Sequence, residues 1–266
     1  MGRAEGVIGG VPWHDMPEHW YEAYERGRPG YPSEALAAPG LPPSSVVLDL
    51  AAGTGKLTRI LCVTFARVLA VEPDSHMRRR LVAFCPAAEA LAGSAEQIPV
   101  ADGSVDAVFA AQSFHTFDPE RALDEIARIL RPRGAVILLW NVSAGPASPS
   151  IAAVHELLDA HWPKGWDPID LGLAYASKDW PREWRELFAK SAFDEHEEVR
   201  IPNPQTVDKE ALVAFFESMG WIASLPDERR LPLVREARSL LAAPQYVLPW
   251  ETRVYWARLG KSPSRG

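Results

Sequence analysis

The chain has little cysteine, no long apolar run and no excess of basic residues. Its 266 residues include two cysteines, Cys62 and Cys85, which are too few and too isolated for a disulfide framework or a cysteine-based metal site, so we expect no bound metal. No apolar run reaches the roughly 18 residues of a membrane span, and we expect no membrane partner. The formal net charge of -7 argues against nucleic acid, whose binders display a basic surface. These absences favour a small-molecule partner.

The amino terminus also lacks the basic start and the apolar stretch of a signal peptide, which predicts a cytoplasmic location. The length suits one large domain, or a core with a sizeable insertion. The sequence does not distinguish a monomer from a homodimer.

Apolar patterning predicts a cap followed by an α/β core. Residues 1–44 are rich in proline, glycine and aromatic residues, and a helix is predicted from about Glu18 to Glu25. Residues 45–141 alternate short apolar strands with amphipathic helices, the pattern of a parallel sheet covered on both faces. The helix after Asp118 illustrates this, because Asp118 suits an N-cap and Pro119 suits the first turn. Its apolar stripe is expected to face the sheet and consists of Ala122, Leu123, Ile126, Ile129 and Leu130.

The second half of the chain breaks this alternation. Residues 142–245 carry two or three predicted helices, one strand and several proline-rich connections, which we interpret as a helical lid inserted before the last strands. Residues 246–266 hold a final strand, Tyr246 to Leu259, expected at the sheet edge. The tail from Lys261 is expected to be disordered.

The glycine-rich turn after the first core strand is the segment that indicates which kind of ligand the chain binds. A phosphate-binding P-loop would need glycine where Leu50 stands and a hydroxyl where Leu57 stands, so that interpretation fails twice. A dinucleotide fingerprint would want a third glycine in place of Thr58, which weakens it without excluding it. What remains is Asp49, at the tip of a strand, four residues ahead of Gly53-Thr54-Gly55. A carboxylate followed by a turn that admits a bulky ligand fits a cofactor with a cationic amino-acid end.

With five ordered motifs over about a hundred residues, the chain resembles the class I S-adenosylmethionine-dependent methyltransferases. They are Asp49 to Gly55 with Ala51 in place of the family's first glycine, Val68 to Pro73 ending in Glu72, Gly93 to Glu96, Asp106 to His115, and Glu125 to Trp140. The resemblance implies a Rossmann-like, doubly wound, mostly parallel sheet with S-adenosyl-L-methionine as cofactor and S-adenosyl-L-homocysteine as product. It also implies that Glu72 accepts both ribose hydroxyls.

A second resemblance concerns the cap. Arg28, Pro29, Tyr31 and Pro32 are similar to an amino-terminal run in the small-molecule branch that includes trans-aconitate-like and quinone-biosynthesis methyltransferases. There the run folds over the cofactor and meets its carboxylate, and a planar guanidinium suits that contact. The alternative is a turn that only packs the first helix against the sheet.

Together these resemblances imply a set of cofactor-binding residues: Arg28, Tyr31, Asp49, Ala51, Gly53, Gly55, Thr58, Glu72, Pro73, Ala95, Glu96 and Gln112.

Histidine and aromatic residues supply the candidates on the acceptor side. His115 follows the fourth core strand and is the candidate general base or substrate orienter, the alternative being that it only shapes the loop. Seven of the ten tryptophans fall in the two flanking regions, either to line a pocket or to build the lid's own core. The candidate pocket residues are Trp20, Tyr21, Tyr24, Ser113, Phe114 and Trp140.

The sequence therefore predicts a methyltransferase that moves a methyl group to a small, aromatic or hydrophobic biosynthetic acceptor by in-line displacement. Two alternatives stay open: a nicotinamide-dependent oxidoreductase on the same core, and a methyltransferase fold that binds the cofactor without methylating. The acceptor, and whether oxygen, nitrogen or carbon is methylated, are not encoded in these motifs.

Overall fold

The computed structural model describes residues 7–8, 11–12, 16–143, 145, 147–162, 182–194 and 196–260. Near the amino terminus, β1 (Val7–Ile8) and β2 (Val11–Pro12) form a short antiparallel pair. The tail that was predicted to be disordered lies outside the described residues. Three of the ten tryptophans also lie outside them: Trp13, Trp166 and Trp180.

A seven-stranded sheet forms the centre of the fold, in the order β5-β4-β3-β6-β7-β9-β8. Its strands are β3 (Val46–Leu50), β4 (Arg67–Val71), β5 (Glu89–Leu91), β6 (Val105–Ala111), β7 (Leu130–Ser143), β8 (Glu197–Asp208) and β9 (Gln245–Arg258). Strands β3 to β7 run parallel, and β9 is antiparallel to both β7 and β8. This arrangement confirms the predicted Rossmann-like α/β class.

The position predicted for the last strand was wrong. We expected it at the sheet edge, but β9 lies inside the sheet, and β8 from the lid region pairs with its outer side over twelve residues, Glu197 to Asp208. Strand β8 was hard to place from sequence because Pro202 and Pro204 interrupt it, and proline is tolerated in a sheet chiefly on edge strands.

The core helices follow their predicted patterns. They are α1 (Glu18–Gly27), α2 (Lys56–Thr64), α3 (Ser75–Phe84) and α4 (Pro119–Ile129). In α4 the Asp118 side chain accepts from the Arg121 amide at 3.3 Å, Pro119 occupies the first turn, and the predicted apolar stripe is buried. The N-cap, the first turn and four residues of the stripe are therefore confirmed, whereas Leu130 is buried at the start of β7 rather than on the helix.

The lid contains more helices than predicted. Against two or three expected, the described part of 142–245 has α5 (Pro149–Ala160), α6 (Arg182–Lys190), α7 (Lys209–Glu217), α8 (Gly220–Ala223) and α9 (Asp227–Leu240). Helix α8 has four residues, too few to show a helical period in sequence. Helices α5, α7, α8 and α9 share a core around the fully buried Trp221, so this tryptophan serves the lid's own packing. Among the described residues, no helix is both long and apolar enough to cross a membrane.

Helix α1 packs between the helices of residues 142–245 and the glycine-rich turn. A Cβ atom at Gly27 would lie 2.1 Å from the Phe215 amide nitrogen of α7, so only glycine permits this approach. On its other side, the Lys56 ammonium at the start of α2 donates to the Glu25 carbonyl at 2.6 Å. The cap is thus fixed between the glycine-rich turn and the lid.

Candidate cofactor site

The turn after β3 adopts the left-handed backbone conformation at three positions. The φ angles are 55° at Ala51, 60° at Gly53 and 89° at Gly55. Gly55 is needed for packing as well, because a Cβ there would lie 2.7 Å from both Cys85 Sγ and Leu81 Cδ1. Ala51 tolerates the conformation less well than the family's glycine would. Alanine in place of glycine at residue 51 therefore adds backbone strain to the turn.

Asp49 lies at the end of β3 with 1% of its surface exposed. Its Oδ2 accepts from the Thr58 hydroxyl at 2.6 Å, so Thr58 orients the carboxyl group. Burial, with a smaller contribution from the nearby Glu72 carboxyl, raises the pKa of Asp49 to about 7, although the hydrogen bond from Thr58 opposes the shift. A ligand with a positive charge would compensate this group.

Glu72, which follows β4, supports the turn from the neighbouring strand. Its Oε2 accepts from the Gly53 amide and its Oε1 from the Asp74 amide, both at 2.8 Å. Burial raises the pKa of Glu72 to about 7. Because each carboxylate oxygen has two lone pairs, both oxygens can still accept from a ligand hydroxyl.

A cavity open to solvent lies over this turn at the carboxyl ends of β3, β6 and β7. This is the edge where open α/β sheets bind ligands. It is lined by residues of the cap, the turn, the strand ends and the lid: Tyr24, Arg28, Pro29, Tyr31, Asp49, Ala51, Ala52, Gly53, Thr54, Lys56, Leu57, Ala111, Gln112, Asn141, Phe215 and Trp250.

The Arg28 guanidinium lies at this cavity, and no carboxylate of the described residues pairs with it. Its guanidinium carbon lies 5.4 Å from the centre of the Tyr24 ring and 5.5 Å from that of Phe215. Nε donates to Ser218 Oγ at 2.8 Å and one terminal nitrogen donates to the Ser218 carbonyl at 2.9 Å. Burial lowers the pKa of Arg28, and the titratable hydroxyl groups of Tyr24 and Tyr31 oppose this shift. A carboxylate ligand would balance this charge.

The structure places the predicted cofactor residues in two groups. Arg28, Tyr31, Asp49, Ala51, Gly53 and Gln112 line the cavity. The remaining ones lie around it. Thr58 and Glu72 contact the turn through the bonds given above, Pro73 is exposed and Ala95 is buried. Glu96 accepts from the Asp118 amide at 2.9 Å, which places it at the start of α4.

The predicted acceptor-side residues also divide. Tyr24 lines the cavity, whereas Trp20 and Tyr21 are fully buried between helices and do not line it. Trp20 Nε1 donates to the Ser218 carbonyl at 3.1 Å, and the Tyr21 hydroxyl donates to Asp74 at 3.3 Å. Both residues therefore fix α1.

A further aromatic cluster collects Phe114 and Trp140 around Trp184 of α6. Each ring centre lies 5.2 Å from that of Trp184, and Trp140 also contacts Tyr255 at 6.0 Å. Ser113 is buried beside Phe114, and His115 lies partly exposed in the short helix Phe114–Thr116. None of these residues lines the cavity over the turn, so they stay candidates for a separate acceptor surface.

Sequence reasoning missed Asn141, Phe215 and Trp250 as cavity residues. Phe215 and Trp250 come from the lid and from β9, far from the turn in sequence, and no local pattern marked them. Asn141 is a polar residue just after an apolar run, at the carboxyl end of β7, and this position was a usable signal.

Comparison with known proteins gives consistent results. Residues 48–138 match the family model of a methyltransferase domain. A methyltransferase-like protein of Schizosaccharomyces pombe is 32% identical over 220 residues, 78% of each chain. An uncharacterized methyltransferase of Mycobacterium tuberculosis is 52% identical over 121 residues, which are 45% of this chain and 49% of that protein. The chain thus spans about half the length of that relative.

Among solved structures, a protein from Anaeromyxobacter dehalogenans assigned as a type II methyltransferase superposes with a TM-score of 0.64 at 21% identity. The superposition covers 88% of this chain and 98% of that one, and it supports the fold.

Proposed function

The chain belongs to the S-adenosylmethionine-dependent methyltransferase family, and from this premise we propose that it transfers the methyl group of S-adenosylmethionine to a small-molecule acceptor. One observation carries the proposal. Asp49, a buried carboxyl group with raised pKa, lines one cavity with Arg28, a cation that has no described carboxylate partner, and a second such carboxyl group, Glu72, lies beside the cavity and holds its Gly53 amide. A ligand that carries an ammonium, a carboxylate and a ribose satisfies all three.

The residues present fit this cofactor. The free lone pairs of Glu72 would accept the ribose hydroxyls, and Arg28 with Tyr31 would hold the methionine carboxylate. Gly53 leaves room, because a Cβ there would meet only the Tyr24 hydroxyl, at 3.9 Å. The Thr54 hydroxyl is buried and has no hydrogen-bond partner among the described residues, which is costly unless a ligand group pairs with it.

The bound cofactor supplies a methyl group already activated by its sulfonium. The chain's task is then to hold acceptor and methyl group in line and to exclude water. Gln112 holds the loop after β6 by donating from Nε2 to the Asn141 carbonyl at 3.0 Å, with φ of 53° at its own backbone. His115 in the same loop is our candidate to take a proton from the acceptor.

The role of His115 has a direct test. His115→Ala should lower the methylation rate and leave S-adenosylhomocysteine affinity unchanged. A parallel loss of both would assign His115 a structural role.

A thermal-shift comparison tests the cofactor assignment. A ligand that binds the native state raises the melting temperature by mass action. S-adenosylhomocysteine should raise it and NADH should not. A shift with NADH alone would favour the oxidoreductase interpretation.

A further inference from the structure

Three side-chain amides converge on the Gly30 carbonyl in the cap. Asn141 Nδ2 on β7, Asn203 Nδ2 on β8 and Gln205 Nε2 on β8 each donate to it at 3.0 Å. A carbonyl oxygen has two lone pairs, so two donors already satisfy it. The third donor therefore adds constraint to Gly30 rather than satisfying an empty acceptor.

The three amides also hold one another in orientation. The Thr252 hydroxyl donates to Asn141 Oδ1 at 2.6 Å, and Asn203 Nδ2 approaches the same oxygen at 3.2 Å. Gln205 Nε2 contacts Asn203 Oδ1 at 3.3 Å. The side-chain oxygens of Asn141 and Asn203 are thus occupied within the group, and the NH₂ ends of all three amides point at Gly30. We name Asn141, Asn203, Gln205 and Thr252 the amide cluster.

The amide cluster touches the cofactor cavity at two places. Asn141 lines the cavity, and its backbone carbonyl receives the Gln112 side chain. The neighbours of Gly30 on both sides, Arg28 and Pro29 before it and Tyr31 after it, line the cavity as well. Fixing the Gly30 carbonyl therefore fixes the backbone that carries them.

The cap segment is held from two sides. Ser218 of the lid holds the Arg28 guanidinium, while β7 and β8 hold Gly30 through the amide cluster. Asn203 and Gln205 are partly exposed on an edge strand and do not line the cavity, so the sheet does not need their side chains for its core.

We propose that Asn203 and Gln205 are positioning residues that hold the segment Arg28 to Tyr31 closed over the cofactor. This rests on the proposed function, because the cofactor must bind in the cavity beneath the segment. Loss of the two amides frees the segment to open, so bound ligand leaves faster, while the fold itself keeps its core.

The experiment uses the double variant Asn203→Ala/Gln205→Ala, with S-adenosylhomocysteine as the probe. Calorimetry should show Kd raised about tenfold, as expected for the loss of two modest hydrogen bonds. Stopped-flow dissociation should be correspondingly faster, and the melting temperature without ligand should stay near that of the wild type. Thr206→Ala, on the opposite, exposed face of β8, is the matched control and should leave Kd and the dissociation rate unchanged.

Asn203→Asp provides a second variant of nearly identical shape. Its carboxylate cannot donate to Gly30, so Kd should again rise if the amide matters. An unchanged dissociation rate in both variants would overturn the proposal, and so would a fall in ligand-free melting temperature large enough to account for the weaker binding. Wild-type protein that failed to bind S-adenosylhomocysteine would instead contradict the proposed function.

Discussion

At the scale of single residues, Asp49 and Glu72 are the carboxyl groups that we propose to bind the cofactor. Each carboxyl group is buried, and each already accepts hydrogen bonds that orient it: Asp49 from Thr58, and Glu72 from the amides of Gly53 and Asp74. Burial without a cation is unfavourable for the ionised forms. No lysine or arginine of the described residues forms an ion pair with either carboxyl group, so a cationic ligand would stabilise the site.

Replacing Glu72 tests this arrangement. Glu72→Ala removes the proposed ribose acceptor and should weaken S-adenosylhomocysteine binding by roughly 1 to 3 kcal/mol, measured by calorimetry. Glu89→Ala removes an exposed glutamate paired with Arg67 on the neighbouring strand and serves as the control. Equal affinity of both variants and the wild type would remove Glu72 from the ribose site.

Ala51 carries strain that a glycine would relieve. Its φ of 55° is unfavourable for a residue with a Cβ, whereas Ala52 has no positive φ. Ala51→Gly should raise the free energy of unfolding by about 0.5 to 1 kcal/mol, the relief of strain less the added chain entropy. Ala52→Gly should lower it, and urea unfolding measures both. A loss in both variants would show that residue 51 is not strained.

At the scale of elements, α1 is the part that connects cofactor and lid. It contacts α2 through Glu25 and Lys56, α3 through Tyr21 and Asp74, and α7 through Gly27. Every one of these contacts joins residues far apart in the chain. Displacement of this helix should therefore open the cofactor cavity.

Gly27→Ala is the substitution that separates α1 from α7. The added Cβ would overlap the α7 backbone, so we expect a loss of about 1 to 3 kcal/mol in unfolding free energy. Weaker S-adenosylhomocysteine binding should accompany it. Glu22→Ala, on the exposed face of α1, should change stability by less than about 0.5 kcal/mol. Similar behaviour of the two variants in chemical denaturation would contradict the close packing seen at Gly27.

An element could be predicted from sequence where the residues that specify it are close together in the chain. The strands and helices of 45–141 have regular apolar periods and N-caps such as Asp118, so their order and type could be predicted. The turn could be predicted because Asp49, Gly53 and Glu72 lie at fixed offsets from strand ends. Phe215 and Trp250 could not, since they reach the cavity only through lid packing. Trp20 was misleading, because bulk that suits a pocket suits helix packing equally well.

At the scale of the whole molecule, the two raised pKa values link stability to pH. The ordinary values are 3.8 for Asp49 and 4.5 for Glu72, and both rise to about 7 in the folded chain. At pH values between the ordinary and the raised pKa, the folded chain holds protons that the unfolded chain has released. The stabilising contribution of the two carboxyl groups is therefore present at low pH and is lost as pH rises.

The ligand-free protein should therefore lose unfolding free energy from these groups between about pH 4 and pH 7. Urea titrations at several pH values measure the slope. Glu72→Gln should show a shallower decline than the wild type, because one titrating group is gone. An identical slope in the two proteins would mean that the pKa of Glu72 is not raised.

Transfer of label from S-adenosylmethionine carrying an isotopic methyl group tests the central claim most directly. Purified protein is incubated with a cell extract divided into small-molecule and macromolecular fractions. The account predicts labelled product in the small-molecule fraction with the wild type, and little with Glu72→Ala. Label in the macromolecular fraction alone, or no transfer by protein that binds S-adenosylhomocysteine, would contradict it.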